Sequence, residues 1–392
     1  MSTLHPIDLK PDSDRRIKAG HLWIFSNELK DGFQNLESGE IVEVRAAGGG
    51  FVGMATLNPH SLIAARLLTR NREDIGEDFF RQRIRVAHEL RISLFGADEH
   101  YCRLIYSESD GLPGLIVDRF HDLFVVQALT AGIERLLPLI ISALQAELQV
   151  KAILLANDSA MRELEGLPLR RELVVGDYEW PLHFVQDEVR LLADSLHGQK
   201  TGYFFDQRMN RRLLQQFLPP GANALDLFSY TGSFGLYALH AGAGHVTFVD
   251  ASVPALDLAK QAAVLNGGAA RASFIKADIF PWLKDHAETY DVVIVDPPAL
   301  AKSRTKVGAA LRAYRDLNAR AMARVKSGGL LATSSCSGLV ASAAWREALR
   351  EAARKTGKSL RVISQGAQAP DHPILVAMPE TEYLKFLIAI VN

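Results

Sequence analysis

The chain has 392 residues, a formal net charge of −1, 48% hydrophobic residues and 23% charged residues. This length suits two or three domains, and the composition excludes collagen-like and disordered proteins. The nearly neutral charge excludes a global electrostatic attraction to nucleic acid, so any basic surface must be local.

The first part of the chain alternates short β-type runs with turn signals. The runs are HLWIF, GEIVEV, GFVGMAT and LIAARLL, and they predict a small β-rich domain over residues 1–72. From Arg72 to about Arg91, apolar residues recur at helical spacing among charged ones, which predicts a connecting helix. A second group of β-type runs and the amphipathic stretch ERLLPLIISALQAEL follow. Residues 73–185 are therefore predicted to form a small α+β domain.

Beyond about Gln186 the pattern becomes strand, helix, strand, helix. The candidate strands are ALDLF, HVTFVD, ASFIK, YDVVIVD, GLLATSS, SLRVIS and YLKFLIAIV. Such alternation favours a mainly parallel sheet with helices on both faces. Residues 186–392 are therefore predicted to form a Rossmann-like α/β domain with seven strands.

The chain is expected to hold neither a membrane span nor a metal cluster. No apolar run reaches the roughly 18 residues that a membrane span needs, and the opening residues are too polar for a secretory signal. We therefore expect a soluble cytoplasmic protein. The two cysteines, Cys102 and Cys336, are too few for a disulfide framework or a zinc cluster. Each is interpreted as a lone thiol, and no metal is expected.

A glycine turn follows the first strand of the α/β domain. The segment ALDLFSYTGSFG contains Asp226, Phe228, Thr231 and Gly232, and glycine at such a turn lets the backbone approach a ligand closely. The next strand ends in Asp250, whose carboxylate can accept hydrogen bonds from ribose hydroxyls. The pattern therefore predicts a site for a nucleoside-containing cofactor.

Two further strands also end in acidic residues, Asp278 and Asp296. Strand ends of a parallel sheet meet at one edge, where open α/β sheets bind ligands. Taken singly, Asp278 is also explained as a helix cap, and Asp296-Pro-Pro as a rigid turn. NAD ranks last as the cofactor, because the turn lacks the first glycine of G-x-G-x-x-G and no histidine is placed to handle a hydride.

The order of these motifs resembles that of class I S-adenosylmethionine methyltransferases. Asp226 followed by two glycines is similar to their first motif, and Asp296-Pro297-Pro298 is similar to their fourth, which faces the target base. The resemblance implies S-adenosylmethionine as the cofactor.

Cys336 lies in SSCSG, directly after the apolar strand GGLLAT. A buried cysteine that packs as a small hydrophobe is the alternative interpretation. The polar neighbours favour a reactive thiol instead. A thiolate is the nucleophile needed to methylate a pyrimidine carbon, because C5 of cytosine becomes reactive only after a nucleophile adds to C6. In this hypothesis the Cys336 thiolate adds to C6, and Asp296 holds the N3 and amino edge of the base.

Longer motifs resemble the bacterial ribosomal large-subunit cytosine-5 methyltransferase family. They are GQKTGYFFDQRMNR, DLFSYTGSFG, DPP and SSCSG, joined by RRIKAGHLWIFSNEL, SESDGLPGLIVDRF and APDHPILVAMPETEYLK. The resemblance implies an N-terminal PUA-like RNA-binding domain, a central α+β domain and a methyltransferase domain. It also implies that the cofactor is bordered by Lys200, Thr201, Gly202, Asp206 and Arg208, with Asp250 at its ribose, Asp278 near its adenine and Cys336 as the nucleophile. One departure is Ala299, where many RNA cytosine-5 methyltransferases carry a second cysteine.

A basic segment follows Asp296-Pro-Pro. Residues 302–326 contain eight basic residues and one acidic residue. The candidates for contacts with RNA phosphates are Lys302, Arg304, Lys306, Arg312 and Arg315, with Tyr314 as an aromatic neighbour. A solvated helix face is the alternative interpretation.

The first choice is therefore an S-adenosylmethionine-dependent rRNA cytosine-C5 methyltransferase with large-subunit rRNA as its partner. A second interpretation is methylation of a base nitrogen, in which Cys336 has no role. A third is a non-catalytic RNA-binding or ribosome assembly factor that keeps only the fold. The sequence leaves a homodimer open.

Overall fold

A computed structural model describes residues 4–392. The chain divides into two compact units. The first takes in the chain up to Trp180 together with Ser195–Phe205 and Pro370–Thr381, and the second takes in Pro181–Asp194, Asp206–Ala369 and Glu382–Asn392. Both N-terminal sheets lie in the first unit. The boundaries at 72/73 and 185/186 stay predictions.

The first sheet of the first unit is formed by the N-terminal β-rich segment. Its strands are β1 (His5–Asp8), β2 (Trp23–Ile24), β3 (Ile41–Arg45), β4 (Phe51–Leu57) and β5 (Ala65–Thr69), and the short helix α1 spans Arg15–Lys18. The order is β1-β3-β4-β5-β2. Alternate residues of β3, including Val42 and Val44, are buried, as expected for a sheet with one face toward a core.

A second sheet and two helices complete the elements of the first unit. The helices are α2 (Glu77–Phe95) and α3 (Ala131–Glu147), and the strands are β6 (Tyr101–Tyr106), β7 (Leu115–Phe120), β8 (Leu123–Ala128), β9 (Ala152–Asn157) and β10 (Arg170–Val175). The strand order is β10-β9-β8-β7-β6. The helix predicted from Arg72 begins at Glu77 instead. Gly76 is its N-cap in extended conformation, and acidic residues occupy the first turn, which suits the positive end of a helix dipole.

The second unit begins with a hairpin, whose first strand is predicted by the run PLHFV and whose second strand sequence reasoning did not identify. Its strands are β11 (Leu182–Gln186) and β12 (Val189–Ala193), and Gln186 pairs with Val189. The two turn residues, Asp187 and Glu188, both have positive φ values, 51° and 66°. This turn type normally uses Asn-Gly or Asp-Gly, so Asp-Glu gives little signal for it.

The main sheet of the second unit has seven strands, and this confirms the predicted α/β class. Its strands are β13 (Asn223–Leu227), β14 (His245–Asp250), β15 (Ala272–Lys276), β16 (Tyr290–Val295), β17 (Val325–Ser335), β18 (Leu360–Gly366) and β19 (Lys385–Val391). The order is β15-β14-β13-β16-β17-β19-β18. The first five strands in this order are parallel, and β19 runs antiparallel to both β17 and β18.

Helices connect these strands. They are α4 (Arg208–Phe217), α5 (Ser233–His240), α6 (Val253–Leu265), α7 (Ile279–Asp285), α8 (Val307–Ala323) and α9 (Ser342–Thr356). One apolar core joins strand residues such as Leu225 and Val293 to Leu317 and Met322 of α8. Short 3₁₀ turns span Ser26–Glu28, Phe33–Asn35, Gly96–His100, Ser107–Asp110, Glu163–Glu165, Phe205–Gln207, Ala269–Arg271, Arg304–Lys306 and Pro379–Thr381. Within residues 4–392, no helix is long and apolar enough to cross a membrane.

Candidate active site

Acidic side chains meet at the carboxyl edge of the seven-stranded sheet. Asp226 lies near the end of β13, Asp250 ends β14, and Asp296 directly follows β16. Asp226 pairs in register with Phe248 and Ile294 of the neighbouring strands. Because β13, β14 and β16 are parallel neighbours, the three carboxyl groups come to one edge, as the sequence predicts.

Asp226 is the most perturbed of these acids. Its side chain is 1% exposed and accepts a hydrogen bond from the Gly235 N–H at 2.9 Å. Burial, with smaller contributions from the nearby carboxyls of Asp296 and Asp250, raises the pKa of Asp226 to about 8, although the hydrogen bond from Gly235 lowers it. Asp296 and Asp250 both act electrostatically on Asp226, so the three carboxyl groups lie close together. Such a cluster favours a cationic ligand.

The turn after β13 is strained. Phe228 and Tyr230 have φ values of 61° and 49°, in the left-handed region that non-glycine residues seldom adopt. Asp250 holds the turn by accepting hydrogen bonds from the N–H groups of Tyr230 at 2.9 Å and Ser252 at 2.8 Å. Such strain is typical of ligand sites, because the surrounding contacts must support it.

The backbone conformation at Gly232 and the close packing at Gly235 explain why both positions are glycine. Gly232 has a φ of 80°. A Cβ atom on Gly235 would lie 2.2 Å from the Phe248 ring, which is too close for any side chain. The helix α5 can therefore pack on β14 only with glycine here, and Thr231 beside it is buried.

Asp278 is the N-cap of α7. Its carboxylate accepts a hydrogen bond from the Phe280 N–H at 3.1 Å, and the residue is exposed. Asp278 is therefore a helix cap, which was the alternative interpretation of the sequence. Its contact with an adenine stays a prediction. Phe280 also packs edge-on against Phe228, with 6.3 Å between ring centroids.

Asp296 is held by two side chains that sequence reasoning missed. It accepts a hydrogen bond from Gln207 Nε2 at 2.8 Å and a short one from the Ser334 hydroxyl. Asn210 donates to Gln207 Oε1 at 2.6 Å, which turns the Gln207 amide N–H toward Asp296. Burial raises the pKa of Asp296 to about 6 even though both hydrogen bonds lower it. Gln207 lies in the motif DQRMNR, which was the available signal.

Cys336 lies next to the Asp296-Pro-Pro segment. It directly follows β17, and its Sγ donates to the Pro297 carbonyl oxygen at 3.6 Å. The residue is half-buried, whereas Cys102 is fully buried, and burial raises the Cys102 pKa well above its usual value. Cys336 is thus the thiol brought to the carboxyl edge of the sheet.

Ser337 ties the loop after β16 to the loop after β17. Its Oγ accepts hydrogen bonds from the N–H groups of Leu300 at 3.0 Å and Ala301 at 3.3 Å, and it lies 2.9 Å from the Tyr314 hydroxyl. Tyr314 is fully buried. Its expected place among RNA-facing residues is therefore wrong, because its ring packs in an apolar cluster with Trp345.

Three of the expected cofactor residues lie in the first unit. Thr201 is fully buried, and its hydroxyl donates to Asp118. Arg171 donates to the Lys200 carbonyl oxygen at 2.7 Å. Gly202 has a φ of 96°, and a Cβ atom there would lie 2.6 Å from Ser195 Oγ. These contacts stabilise the segment, and its contact with a cofactor stays a prediction.

Asp206 and Arg208 lie in the second unit, and both are buried. The Tyr383 hydroxyl donates to Asp206 Oδ2 at 2.6 Å. Arg208 pairs with Asp187 at 3.0 Å. Both side chains therefore have structural partners, and their role at a cofactor stays a prediction.

The basic residues after Asp296-Pro-Pro divide into two groups. Lys302, Arg304, Lys306 and Arg312 are exposed. Arg315 is half-buried and pairs with Asp316 at 3.1 Å. The exposed group lies on the loop and on the first turns of α8, directly after the segment that holds Asp296.

Family models match both ends of the chain. Residues 7–70 match the model of the PUA-like domain, and residues 122–385 match that of the S-adenosylmethionine-dependent methyltransferases. The second match covers more than half of the chain. Together with the sheet order and the acidic edge, it defines a methyltransferase that uses S-adenosylmethionine.

Sequence relatives narrow this class. The ribosomal RNA large subunit methyltransferase I of Shewanella denitrificans is 36% identical over 98% of this chain and 98% of its own. The protein of the same name from Aliivibrio fischeri is 38% identical, with 97% of each chain covered. The chain belongs to the ribosomal RNA large subunit methyltransferase I family.

Solved structures share the fold. A protein described as an S-adenosylmethionine-dependent methyltransferase from Streptococcus mutans has a TM-score of 0.83 and 18% identity, and the match covers 99% of this chain and 100% of that one. A methyltransferase complexed with SAH has a TM-score of 0.85 and 18% identity, with the same coverage. At this identity the likeness is one of fold.

The residues at the acidic edge suit S-adenosylmethionine. Its ammonium and sulfonium groups are cations, and carboxyl groups are supplied by the buried Asp226 and by the half-buried Asp250 and Asp296. The buried Ser229 hydroxyl has no hydrogen-bond partner among residues 4–392, so a polar donor or acceptor is still needed there. Within the same range, no group of three or more His, Cys, Asp or Glu side chains could hold a metal ion.

Proposed function

We propose that the protein transfers a methyl group from S-adenosylmethionine to C5 of a cytosine in large-subunit rRNA. The observation that carries the proposal is the half-buried Cys336, whose Sγ lies 3.6 Å from the Pro297 carbonyl oxygen, next to Asp296. The names of the relatives support rRNA of the large subunit as the substrate. We infer cytosine as the base and C5 as the methylated atom because the Cys336 thiol, which can add to C6, lies beside the Asp296 carboxyl, which can hold the base.

The cofactor would be held along the ends of β13 and β14. Asp250 would accept hydrogen bonds from ribose hydroxyls, and Asp226 would face the cationic part of the molecule. The ring pair of Phe228 and Phe280 offers an apolar surface for the adenine, beside Asp278. When bound, S-adenosylmethionine supplies the electrophilic methyl group that C5 accepts.

Cys336 would activate the pyrimidine. Its thiolate forms a bond to C6, and the electron pair of the C5–C6 double bond moves so that C5 becomes nucleophilic. After methylation, loss of the C5 proton restores the double bond and breaks the bond between Sγ and C6. The target cytosine must leave its stack, or lie in an unpaired stretch, to reach the thiol.

Asp296 would hold the Watson–Crick edge of the base. Negative charge develops at N3 when a nucleophile adds to C6, and a protonated carboxyl can donate to N3 while its other oxygen accepts from the amino group. A pKa of about 6 for Asp296 keeps that proton accessible near neutral pH. Gln207 and Ser334 hold the carboxyl in place.

The RNA backbone would be bound by the exposed cations after Asp296-Pro-Pro. Replacing Lys302, Arg304 and Lys306 by Gln should weaken RNA binding and reduce the slope of log affinity against log salt by about 2, since each lost phosphate contact removes roughly 0.7. The matched control is Arg350→Gln, which removes an exposed cation already paired with Glu347. An unchanged slope in the triple variant would contradict this part of the proposal.

The homodimer and the cytoplasmic location stay predictions.

The test of the reaction combines nucleoside analysis with trapping. Methyl transfer to rRNA from cells that lack the gene is followed by mass spectrometry of the nucleosides, and 5-methylcytidine is expected. RNA that carries 5-fluorocytidine should form a covalent complex, because fluorine at C5 prevents the proton loss that releases Sγ.

Cysteine variants decide between the interpretations. Cys336→Ala should abolish both transfer and trapping, while Cys102→Ala, which removes the other thiol, should keep both. Full activity of Cys336→Ala with a product methylated on a base nitrogen would favour the second enzymatic interpretation. Absence of S-adenosylmethionine binding in calorimetry would favour a non-catalytic factor.

A further inference from the structure

Lys385 lies directly behind the Cys336 loop. It is the first residue of β19 and pairs in register with Ser335, the last residue of β17. Its Nζ donates to the carbonyl oxygens of Ser337 at 2.7 Å and Val340 at 2.9 Å. One lysine therefore anchors both ends of the loop that begins immediately after Cys336.

The Lys385 ammonium and the Cys336 sulfur influence each other electrostatically. Burial lowers the pKa of Lys385 to about 8, while negative charge at Cys336 and at Glu382 acts in the opposite direction. Burying a lysine ammonium group costs desolvation free energy, and an interaction with a nearby negative charge offsets that cost. The two carbonyl oxygens hold the Nζ in place, so the cation is fixed rather than mobile.

We propose that the Lys385 ammonium stabilises the thiolate form of Cys336 and holds the Ser337–Val340 loop behind it. Lys385 is thus a positioning residue that acts through Cys336. The catalytic meaning of this interaction rests on the proposed function, in which Cys336 is the nucleophile. The interaction itself is a property of the free protein and can be measured without RNA or cofactor.

Three other groups act on Cys336 or on Lys385, and none of the three is a cation. The Pro297 carbonyl oxygen accepts from the thiol and so favours the neutral form, but the contact of 3.6 Å is weak. Tyr314 is neutral near pH 7, since burial raises its pKa. Glu382 acts on Lys385 and supports its protonated form. Lys385 is therefore a cation that acts on the thiolate, and a neighbouring cation lowers the pKa of a cysteine.

The experiment measures alkylation of Cys336 by iodoacetamide in the full chain between pH 6 and pH 10. Only the thiolate reacts, so the midpoint of the rate reports its formation. Lys385→Met should raise the midpoint by about one pH unit or more, and lower the rate at pH 7 about tenfold. Lys385→Arg keeps the charge and should restore much of the rate. Peptide mass spectrometry assigns the label, and Cys336→Ala should abolish it.

The matched control is Lys358→Met. Lys358 is also a lysine whose pKa burial lowers, and its Nζ donates to a backbone carbonyl oxygen, that of Val325, at 2.7 Å. It follows α9, and Cys336 is not among the groups that act on it. The alkylation midpoint of Lys358→Met should equal that of the wild type.

A second variant separates charge from hydrogen bonding. Lys385→Gln keeps an N–H donor for the loop carbonyls but removes the charge, so it should show the same rise as Lys385→Met. A rise in Lys385→Met alone would mean that loop geometry is responsible, and would overturn the electrostatic proposal. Equal midpoints in the wild type and in both neutral variants would also overturn it.

Failure of the proposed function gives a different result. If Cys336→Ala retains methyl transfer, Cys336 is not the nucleophile, whatever the alkylation profile shows. If Cys336→Ala is inactive and the profile shifts, Lys385→Met should lower kcat with little change in KM for RNA, and its deficit in kcat relative to the wild type should shrink toward high pH. A changed KM with an unchanged kcat would overturn the catalytic meaning of the interaction.

Discussion

Asp226→Asn should stabilise the cofactor-free protein, and more so as the pH rises. The ordinary pKa of an aspartate is 3.8, and burial raises that of Asp226 to about 8 in the fold. Between these values the folded chain keeps a proton that the unfolded chain releases, so the free energy of unfolding of the wild type falls as the pH rises. Asparagine carries no such proton, and its Oδ1 can still accept from the Gly235 N–H.

The magnitude follows from the linkage. Each pH unit in this window changes the difference between variant and wild type by about 1.4 kcal/mol. From pH 5 to pH 7 the difference should therefore grow by about 2.7 kcal/mol. For a domain of roughly 150 to 250 residues this corresponds to an increase of about 5 to 10 °C in the difference between the unfolding midpoints.

Scanning calorimetry at pH 5, 6 and 7 measures this difference. Asp257→Asn is the matched control, because it removes a carboxyl from an exposed position on α6. A difference between Asp226→Asn and the wild type that stays constant over this range would show that Asp226 is ionised in the fold. The conclusion that burial keeps the Asp226 carboxyl protonated in the fold would then be wrong.

Three further predictions concern the same unit. Binding of S-adenosylmethionine at pH 7 should release protons, because its cations favour ionised Asp226, and calorimetry in buffers of different ionisation enthalpy measures the release; equal heats in all buffers would contradict it. Gly235→Ala should cost at least about 2 kcal/mol in urea unfolding, because its Cβ would lie 2.2 Å from Phe248, whereas Gly308→Ala in α8 meets nothing closer than 3.7 Å and should be neutral or stabilising. Ser337→Ala leaves buried partners unsatisfied and should cost about 1 to 3 kcal/mol and lower kcat, and an unchanged kcat would show that the loop needs no such anchor.

Local patterns in the sequence predicted most strands but not all of their partners. The apolar runs that carry Asp226, Asp250 and Asp296 at or near their ends have the length and composition of buried parallel strands, and the structure confirms the mainly parallel sheet. The placement of β19 between β17 and β18 depends on pairing between distant segments, which no local pattern carries. Strand β1, with only four residues and a proline, falls below the signal of a strand.

The candidate site divides in the same way. Asp226, Asp250, Asp296 and Cys336 were predicted because each lies at or near the carboxyl end of a recognisable strand. Lys385 was missed because its partners in the Ser337–Val340 loop lie more than forty residues earlier in the chain. Local motifs predict the residues at the ends of strands, whereas the side chains that hold those residues in place come from distant parts of the sequence.

The proposed reaction makes opposite demands on two neighbouring groups. Asp296 must carry a proton to donate to the base, while Cys336 must lose one to attack it. Burial beside other carboxyls meets the first demand, because it raises the pKa of Asp296 to about 6. A fixed ammonium at Lys385 meets the second, because it favours a negative sulfur. Both groups lie on one edge, joined by Ser334 and Pro297, so the fraction of molecules with a protonated acid and an ionised thiol is greatest at pH values between the two titrations. Loss of the Lys385 charge should therefore raise the pH at which Cys336 loses its proton and lower the fraction of molecules that hold both forms, without moving the titration of Asp296.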